Sequence, residues 1–161
     1  MAYPEGVGSS FNAGSCCPPA ALTNVDDFGF ARALVRDVQA KLCIDAKKVY
    51  TTGYSNGCFI SQGLICLAPD IFKASGCGSG GIILETDCNR DFNTFNTSIK
   101  VLEIHGTLDA TVPYNGNALL GFPPVPENYA ANRVRKEGRR RRRRRKTTTD
   151  TLSLSRSLSL V

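Results

Sequence analysis

The chain is 161 residues long, enough for one domain with one sizeable core, and its 42% hydrophobic content suits a globular protein. Its formal charge of +6 is split along the chain, with a net −4 over residues 1–132 and +10 over residues 133–161, so the body is mildly acidic and the end strongly basic. No stretch approaches the run of about 18 apolar residues that spans a membrane, and seven cysteines with no CxxC pair beside a single histidine argue against a zinc site.

Residues 1–23 are rich in Gly, Ser, Pro and Cys and read as loop, with only Met1 to Tyr3 able to form the tail of a strand. Asp26 or Asp27 can cap a helix that runs to about Cys43. Its apolar positions Phe30, Leu34, Val38 and Leu42 recur at helical spacing, and Arg32, Arg36 and Lys41 are expected to face outward. A turn at Asp45-Ala46 leads into a buried strand, Lys48–Thr52, and a helix is predicted from Asn56 to Leu67, ended by Ala68-Pro69-Asp70. Phe72–Ser75 reads as a short strand entering a Gly-rich loop, Gly76–Gly81. Residues 82–98 read as an irregular excursion, Ile99–Ile104 as the next strand, and Glu127–Glu137 as a helix. Strand, helix, strand, helix in this order predicts a parallel sheet with helices packed on it. The composition then breaks. Seven consecutive arginines, 139–145, precede Lys146, three threonines and "TLSLSRSLSLV". Such a segment cannot bury a core, so the organisation is a folded domain over 1–138 and a disordered basic tail over 139–161.

The cysteine count points to a disulfide-permissive, secreted setting with one thiol left over. The sequon Asn96-Thr97-Ser98 fits that setting. Residues 1–25 show no charged region followed by an apolar run, so the expectation is of an upstream segment carrying the leader. The pairing of seven cysteines cannot be read, although adjacent Cys16 and Cys17 suggest that at most one of them pairs nearby.

"YTTGYSNGCF", residues 50–59, carries the chemistry. Gly53, Ser55 and Gly57 form G-x-S-x-G between a predicted strand and a predicted helix, the setting of a nucleophile elbow. Against this stands a plain tight turn in a chain of 15 glycines. A serine hydroxyl needs a histidine to take its proton, a carboxylate to orient that histidine, and two N–H groups to hold the oxyanion. The Asn56 N–H is the first oxyanion candidate. Asp109, just past a strand in "VLEIHGTLDATVPY", is the candidate acid, against a turn aspartate capping its own loop. The order Ser, Asp, His would place the base after Asp109. His105 precedes it and is expected to support the acid loop rather than act as the base.

"NAGSCC", "NVDDFGFARALVRDV", "IDAKKVYTTGYSNGCF" and "HGTLDATVPYNG" together resemble the secreted feruloyl esterases and polyhydroxybutyrate depolymerases, a group of α/β-hydrolases. The resemblance covers roughly residues 3–137. It implies an α/β-hydrolase fold as a partial parallel sheet flanked by helices. It also implies hydrolysis of carboxylic esters (phenolic, acetyl or polyester) by Ser55 with Asp109, no cofactor, and an extracellular location. Asp26-Asp27 fall on a family motif at the start of a flanking helix and are expected to be structural. Members of the group carry strands upstream of where this chain starts and a histidine loop downstream where this chain has arginines, so an inactive fragment or a non-catalytic ester-binding relative is expected. The arginine run offers a competing reading as an anionic-surface or nucleic-acid binder. Without interleaved aromatics it implies phosphate attraction and no specific nucleic-acid partner.

Overall fold

The computed structural model describes residues 1–82, 100–120 and 124–125. The excursion, the helix at 127–137 and the basic tail therefore lie almost wholly outside the described residues. The first helix, α1, is Asp27–Lys41. Strand β1 is Tyr50–Tyr54, helix α2 is Asn56–Leu67, and strands β2 and β3 are Ala74–Gly78 and Lys100–Ile104. The three strands form one parallel sheet in the order β1-β2-β3, in register so that Tyr50, Ala74 and Lys100 lie in one row and Tyr54, Gly78 and Ile104 in another. Parallel neighbours need a crossover, and α2 supplies it between β1 and β2.

Helix α2 is the centre of the core. Residues Cys58 to Cys66 are all buried, and Phe59, Ile60, Leu64 and Ile65 form one cluster with Ala13, Phe72 and Val112. A helix apolar on all sides is one covered on all sides. The sheet lies beneath it, with Thr51 of β1 donating from its hydroxyl to the Ser61 carbonyl at 3.0 Å. Above it, the edge of Phe28 from α1 sits against Gly63, where an added Cβ would come within 2.8 Å of the ring.

That notch sets the rotation of α1 and corrects the face read from its sequence. Phe28, Ala31 and Val35 turn toward the core, whereas Phe30 is 44% exposed and Leu42 61%. Arg32, expected to face outward, instead donates from Nη2 to the Leu67 carbonyl, one of the unsatisfied carbonyls at the end of α2. The helix starts where Asp26 accepts from the Gly29 N–H at 2.8 Å. Its neighbour Asp27 is buried and accepts from the Asn12 N–H at 2.6 Å, so this pair serves the helix start and the N-terminal loop.

Three strand boundaries differ from the sequence reading. Residues 1–3 form no strand. β1 lies two residues later than predicted, and β2 runs through the glycines assigned to a loop. β1 is also covered on one face only. Thr51 and Gly53 face α2, while Tyr50 and Tyr54 are 61% and 74% exposed on the other side. Cys16 and Cys17 are disulfide-bonded to each other, contrary to the expectation that at most one would pair nearby. Cys58 pairs with Cys77, Cys66 is also a disulfide cysteine, and Cys43 is the free thiol among the described residues.

Candidate active site

The row Tyr54–Gly78–Ile104 ends the sheet, and the next residues, Ser55, Ser79 and His105, all lie at its carboxyl edge. Ser55 takes φ 52° and ψ −118°, a conformation that non-glycine residues rarely hold without support from their surroundings. The support is visible. The Ser55 N–H donates to the Gly78 carbonyl at 2.9 Å, and the Ser55 carbonyl accepts from Cys58 N at 2.9 Å and Phe59 N at 3.1 Å. One bond holds the serine to the sheet and the other two start α2. The turn is tight enough that a Cβ at Gly53 would stand 2.1 Å from the Gly57 carbonyl oxygen. The first glycine of G-x-S-x-G is therefore required by backbone contact. Gly57 has open space around it. The Ser55 side chain does not cap α2. A serine at an N-cap ordinarily does so, and here the hydroxyl is left for other use.

Asn56 follows with its backbone N–H at the first turn of α2. Its side chain grips the N-terminal loop, accepting from Phe11 N at 2.7 Å and donating to Phe11 O at 2.8 Å. This pairing spans 45 residues, and no local pattern announces it.

Asp109 sits on the turn after β3, where its N–H donates to the Gly106 carbonyl at 3.1 Å. One carboxylate oxygen accepts from the N–H groups of Thr111 and Val112, each at 2.9 Å. The Val112 N–H is the main reason its carboxyl titrates below the usual value. Desolvation opposes this, while the Thr111 N–H, the Ser79 hydroxyl and His105 add to it. Asp109 is thus held as a carboxylate, and the Ser79 bond connects it to the loop whose preceding residue, Gly78, holds the Ser55 N–H. Val112 is itself buried in the core, which anchors the whole turn.

His105 is buried, its side chain only 2% exposed. Its Nε2 lies 2.7 Å from the Val112 carbonyl and 3.6 Å from Asp109 Oδ2, and its Nδ1 lies 3.3 Å from Glu103 Oε1. Both ring nitrogens are committed to the acid turn and to β3. Glu103 continues the network by accepting from Gln62 Nε2 of α2 at 2.8 Å and from the Gly80 N–H at 3.2 Å. Its sequence context, inside β3, gives no sign of this network. Its partners are 41 and 23 residues away, so only the fold reveals it.

The sulfurs of Cys58 and Cys77 and the carboxylate of Glu103 lie close enough together to suggest a soft-metal site. The two sulfurs are bonded to each other and therefore offer no thiolates. A shallow apolar groove of about 320 Å³ lies elsewhere, among Tyr50, Gly76, Lys100 and Leu102 on the bare side of the sheet. It sits toward the opposite strand ends from Ser55, so its volume carries no argument about the serine.

Residues 26–120 match the family model described as phospholipase/carboxylesterase. The chain is 35% identical over 103 residues to a probable feruloyl esterase C of Aspergillus clavatus, covering 64% of this chain and 36% of that protein. It is 33% identical over 108 residues to feruloyl esterase C of Emericella nidulans, covering 67% and 38%. It is 28% identical over 110 residues to feruloyl esterase B of Piromyces equi, covering 68% and 19%. The chain spans about a third of the length of the feruloyl esterase C relatives it matches. No solved structure matches. The parallel sheet, the helices on it and the extent of the family match agree: this chain belongs to the phospholipase/carboxylesterase family of α/β-hydrolases.

Proposed function

We propose that this chain carries the nucleophile and the orienting acid of a serine hydrolase of carboxylic esters, with phenolic esters of the feruloyl type as its substrate class. The observation that carries the reading is Ser55, held at positive φ on a strand-to-helix turn with its side chain withheld from capping the helix. In this reading the Ser55 oxygen attacks the ester carbonyl and the Asn56 N–H stabilises the oxyanion. Asp109 holds the position of the acid that, in a complete triad, orients and charge-balances the histidine base. The relatives named feruloyl esterase support the substrate class. The Cys58–Cys77 disulfide supports an extracellular setting.

The chain's only histidine is His105, engaged with Glu103 and Val112, so it supplies no base to Ser55. Loss of a triad base costs on the order of a million-fold in turnover. This chain is therefore expected to be a very slow esterase.

The test is hydrolysis of methyl ferulate and a chromogenic acetate ester with and without added imidazole, which can serve as a diffusible base. The expected result is a slow rate that rises with imidazole and disappears in Ser55→Ala after subtraction of the free-imidazole background. Equal rates for the chain and for Ser55→Ala at every imidazole concentration would remove Ser55 from the chemistry.

A further inference from the structure

A neutral imidazole has one N–H and one bare lone pair. Among the described residues the Nε2 of His105 faces only acceptors, the Val112 carbonyl at 2.7 Å and Asp109 Oδ2 at 3.6 Å, so this nitrogen carries hydrogen. In a neutral ring the Nδ1 lone pair would then face Glu103 Oε1 at 3.3 Å, one acceptor against another. Both side chains are nearly inaccessible, at 2% and 7% exposure, so water cannot relieve the mismatch. The contact is favourable only if it holds one more proton, on Nδ1 or on the carboxyl.

Among the described residues, the other contacts place no proton between the two side chains. Glu103 Oε2 receives the Gln62 amide, and Oε1 receives the Gly80 N–H. The adjacent sulfurs are a disulfide and do not titrate. Tyr114 presents its ring to His105 in a T-shaped contact, with centroids 5.9 Å apart.

We propose that Glu103 and His105 share one buried proton, and that Glu103 is thereby a positioning residue joining the acid turn to the nucleophile helix. The chain of contacts runs from Gln62 on α2 through Glu103 and His105 to the Val112 carbonyl, whose residue also donates its N–H to Asp109. The shared proton stands on this geometry alone. Its service to catalysis rests on the reading of Asp109 given above.

The chain has a single histidine, so selective ¹⁵N-histidine labelling of the full chain gives one imidazole pair. Near neutral pH the expected spectrum shows proton-bearing or proton-sharing signals at both ring nitrogens. In Glu103→Gln, whose amide can donate to Nδ1 without yielding a proton, the Nδ1 signal should move to the lone-pair position while Nε2 stays protonated. Exchange of the Val112 N–H should then become faster. A bare Nδ1 in the wild-type chain overturns the proposal, and so does a Glu103→Gln spectrum identical to wild type. If that variant does not fold, the wild-type spectrum decides alone. Absence of Ser55-dependent hydrolysis would remove the reading of Asp109 and leave this spectrum unchanged, so the two failures are separable.

Discussion

The Ser55 N–H donates to the Gly78 carbonyl at 2.9 Å, one step past the last paired row of β1 and β2. This bond keeps the serine attached to the sheet while its carbonyl already accepts from the first turn of α2. The serine is therefore pinned from both sides at a positive φ, and the geometry of the turn depends on how closely the backbone can fold back on itself.

The two glycines of the turn should respond in opposite directions. A Cβ at Gly53 meets the Gly57 carbonyl oxygen at 2.1 Å and Cys58 N at 2.8 Å, both backbone atoms that cannot swing away. Gly53→Ala is expected to cost about 1–3 kcal/mol, the range of an overpacked core. Gly57 lies in α2 with nothing within 4 Å of an added Cβ. Gly57→Ala is expected to be neutral or to stabilise by up to about 1 kcal/mol through helix propensity. Urea unfolding of the two variants checks the ordering, and equal losses at both positions would contradict it.

The elements read from sequence with the right bounds are those with strong local signals. Helix α2 was legible from Asn56 to Leu67 because a turn motif opens it and Ala68-Pro69 closes it. β2 was misread because Gly76 and Gly78 look like loop residues. In the sheet they are the small central positions between Tyr54 and Ile104, where a Cβ on Gly78 would stand 3.1 Å from the Ile104 carbonyl oxygen. The rotation of α1 was missed because Gly63 decides it from another helix. Ser55, Asn56 and Asp109 could be named from their motifs. Glu103, Gln62 and the Asn56–Phe11 clasp could not, since each joins residues brought together only by the fold.

Asp109 should leave a mark on acid stability. Its carboxyl titrates below its ordinary value of 3.8, chiefly because the Val112 N–H favours the charged form. Above 3.8 the carboxylate is ionised in the folded and unfolded chain alike, and its stabilisation is fully present. As pH falls from there through the lower folded-state value, the unfolded chain binds the proton first and that stabilisation is lost. Below about pH 4 the wild-type chain is therefore expected to lose stability more steeply than Asp109→Asn. Denaturant melts across that window measure the difference, and parallel slopes would show that Asp109 is not held ionised.

The two disulfides whose cysteines both lie among the described residues should contribute unequally. Cys58 and Cys77 are 19 residues apart and tie the first turn of α2 to the central strand, whereas Cys16 and Cys17 are adjacent. Closing a loop of this length restricts the unfolded chain by about 3 kcal/mol, while linking neighbours restricts it little. Thermal melts of Cys58→Ala/Cys77→Ala and Cys16→Ala/Cys17→Ala, compared with the parent, are expected to show a large drop for the first pair and a small one for the second. A larger loss from the vicinal pair would mean that its role lies in the native loop rather than in chain entropy.

The face of the sheet away from α2 should make the chain sticky. In sequence, Val49 and Val101-Leu102 are the hydrophobic residues expected to line the edges of a partial sheet. Among the described residues β1 and β3 are indeed the outer strands, but Val49 and Val101 pack against the core. The apolar surface left open is a face. Tyr50, Tyr54, Leu102 and Ile104 are 61%, 74%, 58% and 70% exposed, flanking a floor of Ala74, Gly76 and Gly78. Parallel sheets are ordinarily covered on both faces, and a contiguous apolar patch on a soluble chain promotes association. The chain is therefore expected to bind an apolar fluorescent dye and to scatter light at modest concentration. Tyr54→Lys with Leu102→Lys should reduce both, because each lysine places a charge on an open surface without touching the α2 side of the sheet. Far-ultraviolet circular dichroism should remain unchanged, showing that the fold is intact. A wild-type chain that is monodisperse and silent toward the dye would mean that this face is covered in solution.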